Sequence, residues 1–322
     1  MSPLLRLIVL TAAAGVLFAG SAALATALAY PRIRHVLARI SPPRRSAWLL
    51  AVTGAPWLAA GALVTACFLP SLAALAGVGL DHCPAHDTHH AHLCFSHLPG
   101  QPLGAFELLL VTAAVAMIAA MGLRLGVAQA RAWRAARALL RIQFGHEVHG
   151  AIPLAVTIGF WHPEVVVTSE LRSRLTRDEL DVVVEHELAH ARRRDPLRLT
   201  FAAALALGHL PHVRQAVLTD LALACEQACD EEAAQRVPGG RLRVAETVVA
   251  VEKLAGRAAW APVAFGGASV TARVESLLGD PDTGRAPRSR LWIASAIALL
   301  ALAALAPAIH HATETFLGFL AG

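Results

Sequence analysis

Four long apolar runs alternate with short arginine-rich flanks along this chain. The runs cover residues 1–30, 47–76, 103–123 and 291–309. Each approaches or exceeds the roughly 20 residues that a helix needs to cross a bilayer. The flanks set an orientation. "YPRIRHVLARISPPRRS", around the basic loop 31–46, carries five arginines and no acid. "RLGVAQARAWRAARALLRIQFG" follows the third run and "GRAPRSR" precedes the fourth. These flanks face the cytoplasm by the positive-inside preference. The stretch 77–102 has two aspartates and neither lysine nor arginine, so it faces outward. Both termini are then external, with 310–322 as a short outer tail. "ATALAY" at the end of the first run also reads as a signal-peptide cleavage site. Cleavage would leave five arginines on the wrong side of the next span, which favours a retained helix.

Between the third and fourth runs, over 124–290, the pattern becomes that of a folded domain. An arginine-studded helix is predicted over 124–143. "AVTIGF" and "EVVVTS" are rich in β-formers, and "WHP" between them supplies a turn. "SRLTRDELDVVVEHELAHARRR" reads as a helix starting near Thr176, where Thr176 and Glu179 form a capping box. Pro196 restarts the chain into "LRLTFAAALALGHL", which suits either a core or a membrane-lying helix. Further helices are predicted in "AVLTDLALACEQACDEEAAQRV", "RLRVAETVVAVEKLAG" and "ASVTARVESLL". The expected fold is mainly α and multi-pass. Four transmembrane helices enclose a cytoplasmic α+β domain placed between helices three and four.

Composition agrees with a membrane protein. Of 322 residues, 56% are hydrophobic and 16% charged, with mean hydropathy +0.54. An ordinary soluble domain is about 45–50% apolar. The net charge is +5 and the basic side is almost all arginine, Lys253 being the only lysine. That bias suggests a GC-rich bacterium. Contact with membrane lipid is expected, and direct nucleic-acid binding is not.

The chemistry concentrates in "VVVEHELAHARRRDP", residues 182–196. His186, Glu187 and His190 form His-Glu-x-x-His. Two imidazoles four apart on a helix share one side and can reach one Zn²⁺. Glu187 can act as general base on a metal-activated water. A catalytic zinc takes three protein ligands and keeps one open position. Glu226 in "ACEQACDEE" is the candidate third ligand, with Glu231 and Glu232 as rivals. Asp230, four residues after Glu226, can hold the outer nitrogen of a ligating histidine. Arg192, Arg193 and Arg194 read as a solvated helix end, and Asp195 as a structural acid. His209 and His212 suit turn residues or transition-state donors. Cys225 and Cys229 suit helix packing or thiolate ligation.

"HELAHARRRDP" followed by Glu226-Gln-Ala-Cys229-Asp230 resembles the BlaR/MecR-type membrane metallopeptidases. "GFWHPEVVVTSEL", "GHLPHVRQAV", "RVAETVVAVEKLA" and "ARVESLL" resemble the flanking segments of their peptidase domain. The resemblance implies a zincin-like domain of gluzincin type with one Zn²⁺ per chain. His186, His190 and Glu226 would be its ligands and Glu187 its base. It implies a signal-transducing protease that cleaves a cytoplasmic DNA-binding repressor of the BlaI/MecI type. The strand at 164–169 could offer its edge to an extended substrate. The antibiotic-sensing relatives carry a penicillin-binding domain after the fourth span. None follows here, so β-lactam sensing is expected to be absent. Two alternatives are a housekeeping protease like the HtpX or CAAX-prenyl type, and a non-catalytic metal-binding receptor.

The external stretch "DHCPAHDTHHAHLCFSH" holds His82, Cys83, His86, His89, His90, His92, Cys94 and His97. A Cys83–Cys94 disulfide and a zinc or copper site are the competing readings. Either would let this loop stand in for a sensor domain.

Overall fold

The computed structural model describes residues 2–78, 93–95, 104–141, 143–144, 147–148, 153–159, 161–255, 267–279 and 288–321. Helix α1 (Pro3–Leu37) opens at Ser2, whose hydroxyl accepts the Leu5 amide. The apolar run at 47–76 divides into α2 (Pro42–Thr53) and α3 (Ala55–Leu75). Pro56 stands in the first turn of α3 and has no amide to bond back into α2, so the ladder restarts at Gly54. The third apolar run and the arginine-studded segment are one continuous helix, α4 (Ala105–Arg141). Three helices among the described residues are long and apolar enough to cross a membrane. They are α1, α3 and the Leu108–Val127 part of α4.

Two short strands, β1 (Gln143–Phe144) and β2 (Glu147–Val148), follow α4. The expected strand pair is β3 (Ala155–Ile158) and β4 (Glu164–Val167), antiparallel with Ala155 opposite Val167. Gly159 makes the turn at φ +111°, where a Cβ would lie 2.6 Å from the His162 carbonyl oxygen. Short α5 (Ser169–Arg174) leads to α6 (Arg177–Arg193). α6 starts at the predicted capping box, with Thr176 and Glu179 each bonding the other's backbone amide. It ends at Arg194, which is left-handed at φ 54° and also begins α7 (Asp195–Leu205).

A 3-10 turn (Ala206–Gly208) leads to α8 (Pro211–Ala234), α9 (Gly240–Ala255) and α10 (Gly267–Leu278). The chain closes with α11 (Arg288–Ala321), packed against α3.

Among the described residues, three buried clusters tie the helices together. Leu7, Leu10, Ala13, Ala14, Cys67, Leu93 and Leu317 join α1, α3 and α11. Val182, Ala233, Val244 and Leu277 join α6, α8, α9 and α10. Tyr30, Leu37, Leu49, Val217 and Leu221 knit α1 and α2 onto α8. The last cluster contains helices from both the membrane part and the domain. α2 therefore packs along α8 rather than continuing the span.

The turn before α8 also docks on the membrane part. The Trp57 indole of α3 donates to the Leu205 carbonyl at 2.7 Å. A Cβ at Gly208 would meet that indole at 2.9 Å. Gly208→Ala is expected to push the ring out of place at a cost of about 1–3 kcal/mol. A thermal melt of the detergent-solubilised chain should show a lower Tm for the variant.

Candidate metal centre

His186, Glu187 and His190 lie within α6. The two imidazoles stand edge to face with centroids 4.8 Å apart. Their Nε2 atoms approach to 3.2 Å. α8 packs across α6 and brings in Glu226, whose two oxygens lie 3.4 Å from the two Nε2 atoms. Tetrahedral ligands about 2.0–2.1 Å from a zinc ion sit about 3.3 Å from one another. Each Nε2 and the Glu226 oxygen facing it thus lie at about the separation such a site needs, with the two carboxylate oxygens facing one imidazole each. Two imidazoles and a carboxylate are also donor types that borderline divalent cations accept. This donor set could hold a metal ion.

Each histidine is backed by a carboxylate. Nδ1 of His186 lies 3.0 Å from Asp230 Oδ1, and Nδ1 of His190 lies 3.0 Å from Asp195 Oδ2. Such partners fix the ring and turn Nε2 toward the shared point. Both acids are themselves clamped. Arg273 of α10 forks onto Asp230 at 2.8 and 2.6 Å and reaches Glu226 at 3.1 Å. Arg193 and Arg198 donate to Asp195 at 3.2 and 3.0 Å. The left-handed turn at Arg194 carries Asp195 back against α6. A non-glycine residue in that conformation costs of order 1–2 kcal/mol.

Beside the three donors lies a cavity of about 260 Å³, lined by Glu187, His186, Glu226 and Arg273 on its polar side. Pro153, Leu154 and Ala155 at the start of β3 form part of its wall. The Thr157 hydroxyl lies 2.7 Å from Glu187 Oε2 and 2.8 Å from the Glu187 carbonyl oxygen.

A family model described as BlaR1 peptidase M56 matches residues 105–277, more than half of the chain. The chain belongs to the BlaR1 peptidase M56 family. The match runs from α4 to α10 and takes in the whole candidate centre. No curated protein and no solved structure matches the chain.

Membership makes this chain a BlaR1-like membrane metallopeptidase. Within this M56 peptidase, the structure brings together His186, Glu187, His190, Glu226 and Asp230. The rival acids point elsewhere: Glu231 pairs with Arg241 at 3.2 Å and Glu232 with Arg192 at 2.6 Å. His209 is buried and bonds the Val52 carbonyl at 2.9 Å, and His212 is exposed; neither lines the cavity. Burial pushes the Cys225 thiol up to about 12 and the Cys229 thiol to about 11, so both stay protonated near neutral pH.

Several expectations are corrected. Arg193 is not part of a solvated helix end but is half-buried on Asp195. Asp195 does more than brace the turn, because it holds His190. The strand bordering the cavity is β3 rather than β4, and among the described residues β3 is paired on one edge only.

Arg273 and Thr157 were not singled out from the sequence. Arg273 shares a helical stripe with Val270, Val274 and Leu277, so an arginine on an apolar face was the available signal. Thr157 offered none, since its partner lies 30 residues away.

The outer-loop residues His82, Cys83, His86, His89, His90, His92 and His97 lie outside the described residues. Cys94 is buried beside Leu93, whose amide donates to Glu314 at 2.6 Å, and Phe95 stacks on Phe68.

The charges of the M56 centre are coupled. Burial disfavours a charged His186, but Asp230 and Glu226 outweigh it and raise its pKa above 6.5. Burial likewise opposes charge on His190, while Asp195, Cys229 and Glu226 lift it well above 6.5. Burial is also overcome at the acids. His186 and His190 hold Glu226 well below 4.5, Arg273 holds Asp230 below 3.8, and His190 with Arg193 does the same for Asp195.

The raised histidines stabilise the fold below pH 6.5, and that contribution is lost as pH rises through their folded-state values. The depressed carboxylates contribute above their unfolded values of 3.8–4.5 and lose this as pH falls. Chelator-treated protein is therefore expected to melt highest between about pH 4.5 and 6.5 and to lose Tm as pH rises above that window. Melts across that range check this.

Proposed function

We propose that this chain is a zinc endopeptidase of the gluzincin type, acting at the cytoplasmic face of the membrane. His186, His190 and Glu226 hold one Zn²⁺ and Glu187 is the general base. The observation that carries this reading is the meeting of the two Nε2 atoms, 3.2 Å apart, with the Glu226 carboxylate, one oxygen 3.4 Å from each, beside the cavity that Glu187 lines. Bound zinc would supply Lewis acidity toward the scissile carbonyl and make water acidic enough to lose a proton near neutral pH.

The chain's own groups do the rest. Thr157 steadies one oxygen of Glu187, leaving the other to accept the proton. Asp230 and Asp195 keep the two imidazoles turned toward the metal. An extended substrate adding to the open edge of β3 would run past Glu187. The apolar wall formed by Val182, Val183 and Val251 favours an apolar substrate side chain.

The arginine-rich flanks support four spans, with α11 as the fourth, both termini outside and the domain inside. The match to the BlaR1 peptidase family supports a cytoplasmic BlaI/MecI-type repressor as the protein substrate.

Two variants test the chemistry. Glu187→Gln should keep one zinc per chain by elemental analysis while lowering cleavage of a BlaI/MecI-type repressor about 10²–10⁴-fold. A variant that still cleaves at the wild-type rate removes Glu187 from the role of base. Arg273→Gln loosens both Asp230 and Glu226, and should weaken zinc binding about 10–100-fold in chelator competition.

A further inference from the structure

The basic segment before the second span sits against the metal centre, and no part of the cleavage chemistry uses it. Ser46 of α2 is fully buried. Its hydroxyl accepts from Arg193 at 3.0 Å and from Arg198 at 3.3 Å. It donates to the Pro43 carbonyl at 2.9 Å. The same two guanidiniums hold both oxygens of Asp195. Asp195 in turn faces Nδ1 of His190. The preceding residue, Arg45, donates to the Gln227 side chain, and Gln227 donates to the Ala272 carbonyl at 2.8 Å. Ala272 immediately precedes Arg273.

We propose that Ser46 is a positioning residue for the metal centre, holding Arg193 and Arg198 in the geometry that presents Asp195 to His190. It rests on the zinc-peptidase reading above. The physical reason is a problem of like charge. Two guanidiniums share one buried carboxylate, and each would otherwise turn toward solvent or the opposite oxygen. A neutral buried hydroxyl oxygen accepts one N–H from each and fixes both forks at once. α2 is one residue from span α3, being separated from it by Gly54 alone. Ser46 therefore anchors a metal-ligand partner to the segment that enters the membrane. Arg45 gives α2 a second grip, through Gln227, on the backbone next to Arg273.

The test uses the full chain in detergent, with zinc affinity read by chelator competition and Tm read on the zinc-free protein. Ser46→Ala should weaken zinc binding about 3- to 10-fold, less than the roughly 10–100-fold typical of groups that touch a metal ligand directly, because Ser46 acts one step further out. The loss should disappear in an Asp195→Asn background, because the hydroxyl acts through that carboxylate. Leu37→Ala, which trims the same core cluster without touching these hydrogen bonds, should lower Tm and leave zinc affinity at the wild-type value. Unchanged affinity in Ser46→Ala would overturn the proposal. So would an equal loss in the Asp195→Asn background. A wild-type chain that retains no zinc would sink the zinc reading and this proposal together, whereas normal wild-type zinc with an unaffected Ser46→Ala sinks the proposal alone.

Discussion

Everything in this molecule that bears on chemistry depends on two imidazole nitrogens and a carboxylate held within hydrogen-bond distance of one point. Such an arrangement is costly without a cation at its centre. Two ring nitrogens at 3.2 Å must share a proton or repel, and burial raises the penalty for either charge state. A divalent ion held by His186, His190 and Glu226 would relieve the conflict by accepting a lone pair from each. The protein prepares the arrangement with alternating charge: imidazoles inside, Asp195 and Asp230 around them, then Arg193, Arg198 and Arg273 outside. Each layer offsets the desolvation of the one within it, as buried charge requires.

That arrangement explains the architecture around it. Two of the three candidate donors come from a single turn of α6, which a helix provides at no extra conformational cost. The third comes from another element, so α8 has to lie against α6 at a fixed register. Val182 and Ala233 in the shared core set that register. α10 closes the third side and contributes Arg273, which touches both Glu226 and Asp230. The strand pair guards the remaining approach, and its Thr157 reaches Glu187.

The peptidase domain is not merely tethered to the membrane. Tyr30 and Leu37 of α1 and Leu49 of α2 share a core with Val217 and Leu221 of α8. Tyr30 and Arg34 also bind Asp220 of α8, and Trp57 of α3 binds the turn before that helix. The same helix carries Glu226 and Asp230.

Much of this was readable in the residues alone. His186, Glu187 and His190 announce themselves because their relation is local, and helix geometry fixes which residues share a side. The capping box at Thr176 and the β3–β4 hairpin were legible for the same reason. The run at 47–76 misled because apolar content marks what can be buried, not whether lipid or α8 does the burying. Glu226 was preferred for its spacing to Asp230, but that spacing could not exclude Glu231 and Glu232. Only the rotation of α8 against α6 aims the first inward and leaves the others to Arg241 and Arg192. Thr157 and Ser46 lay beyond the sequence altogether, and Arg273 left only the trace of an arginine on an apolar face. Their meaning is a contact with a residue 30 or more positions away, and distances of that kind exist only once the helices have packed.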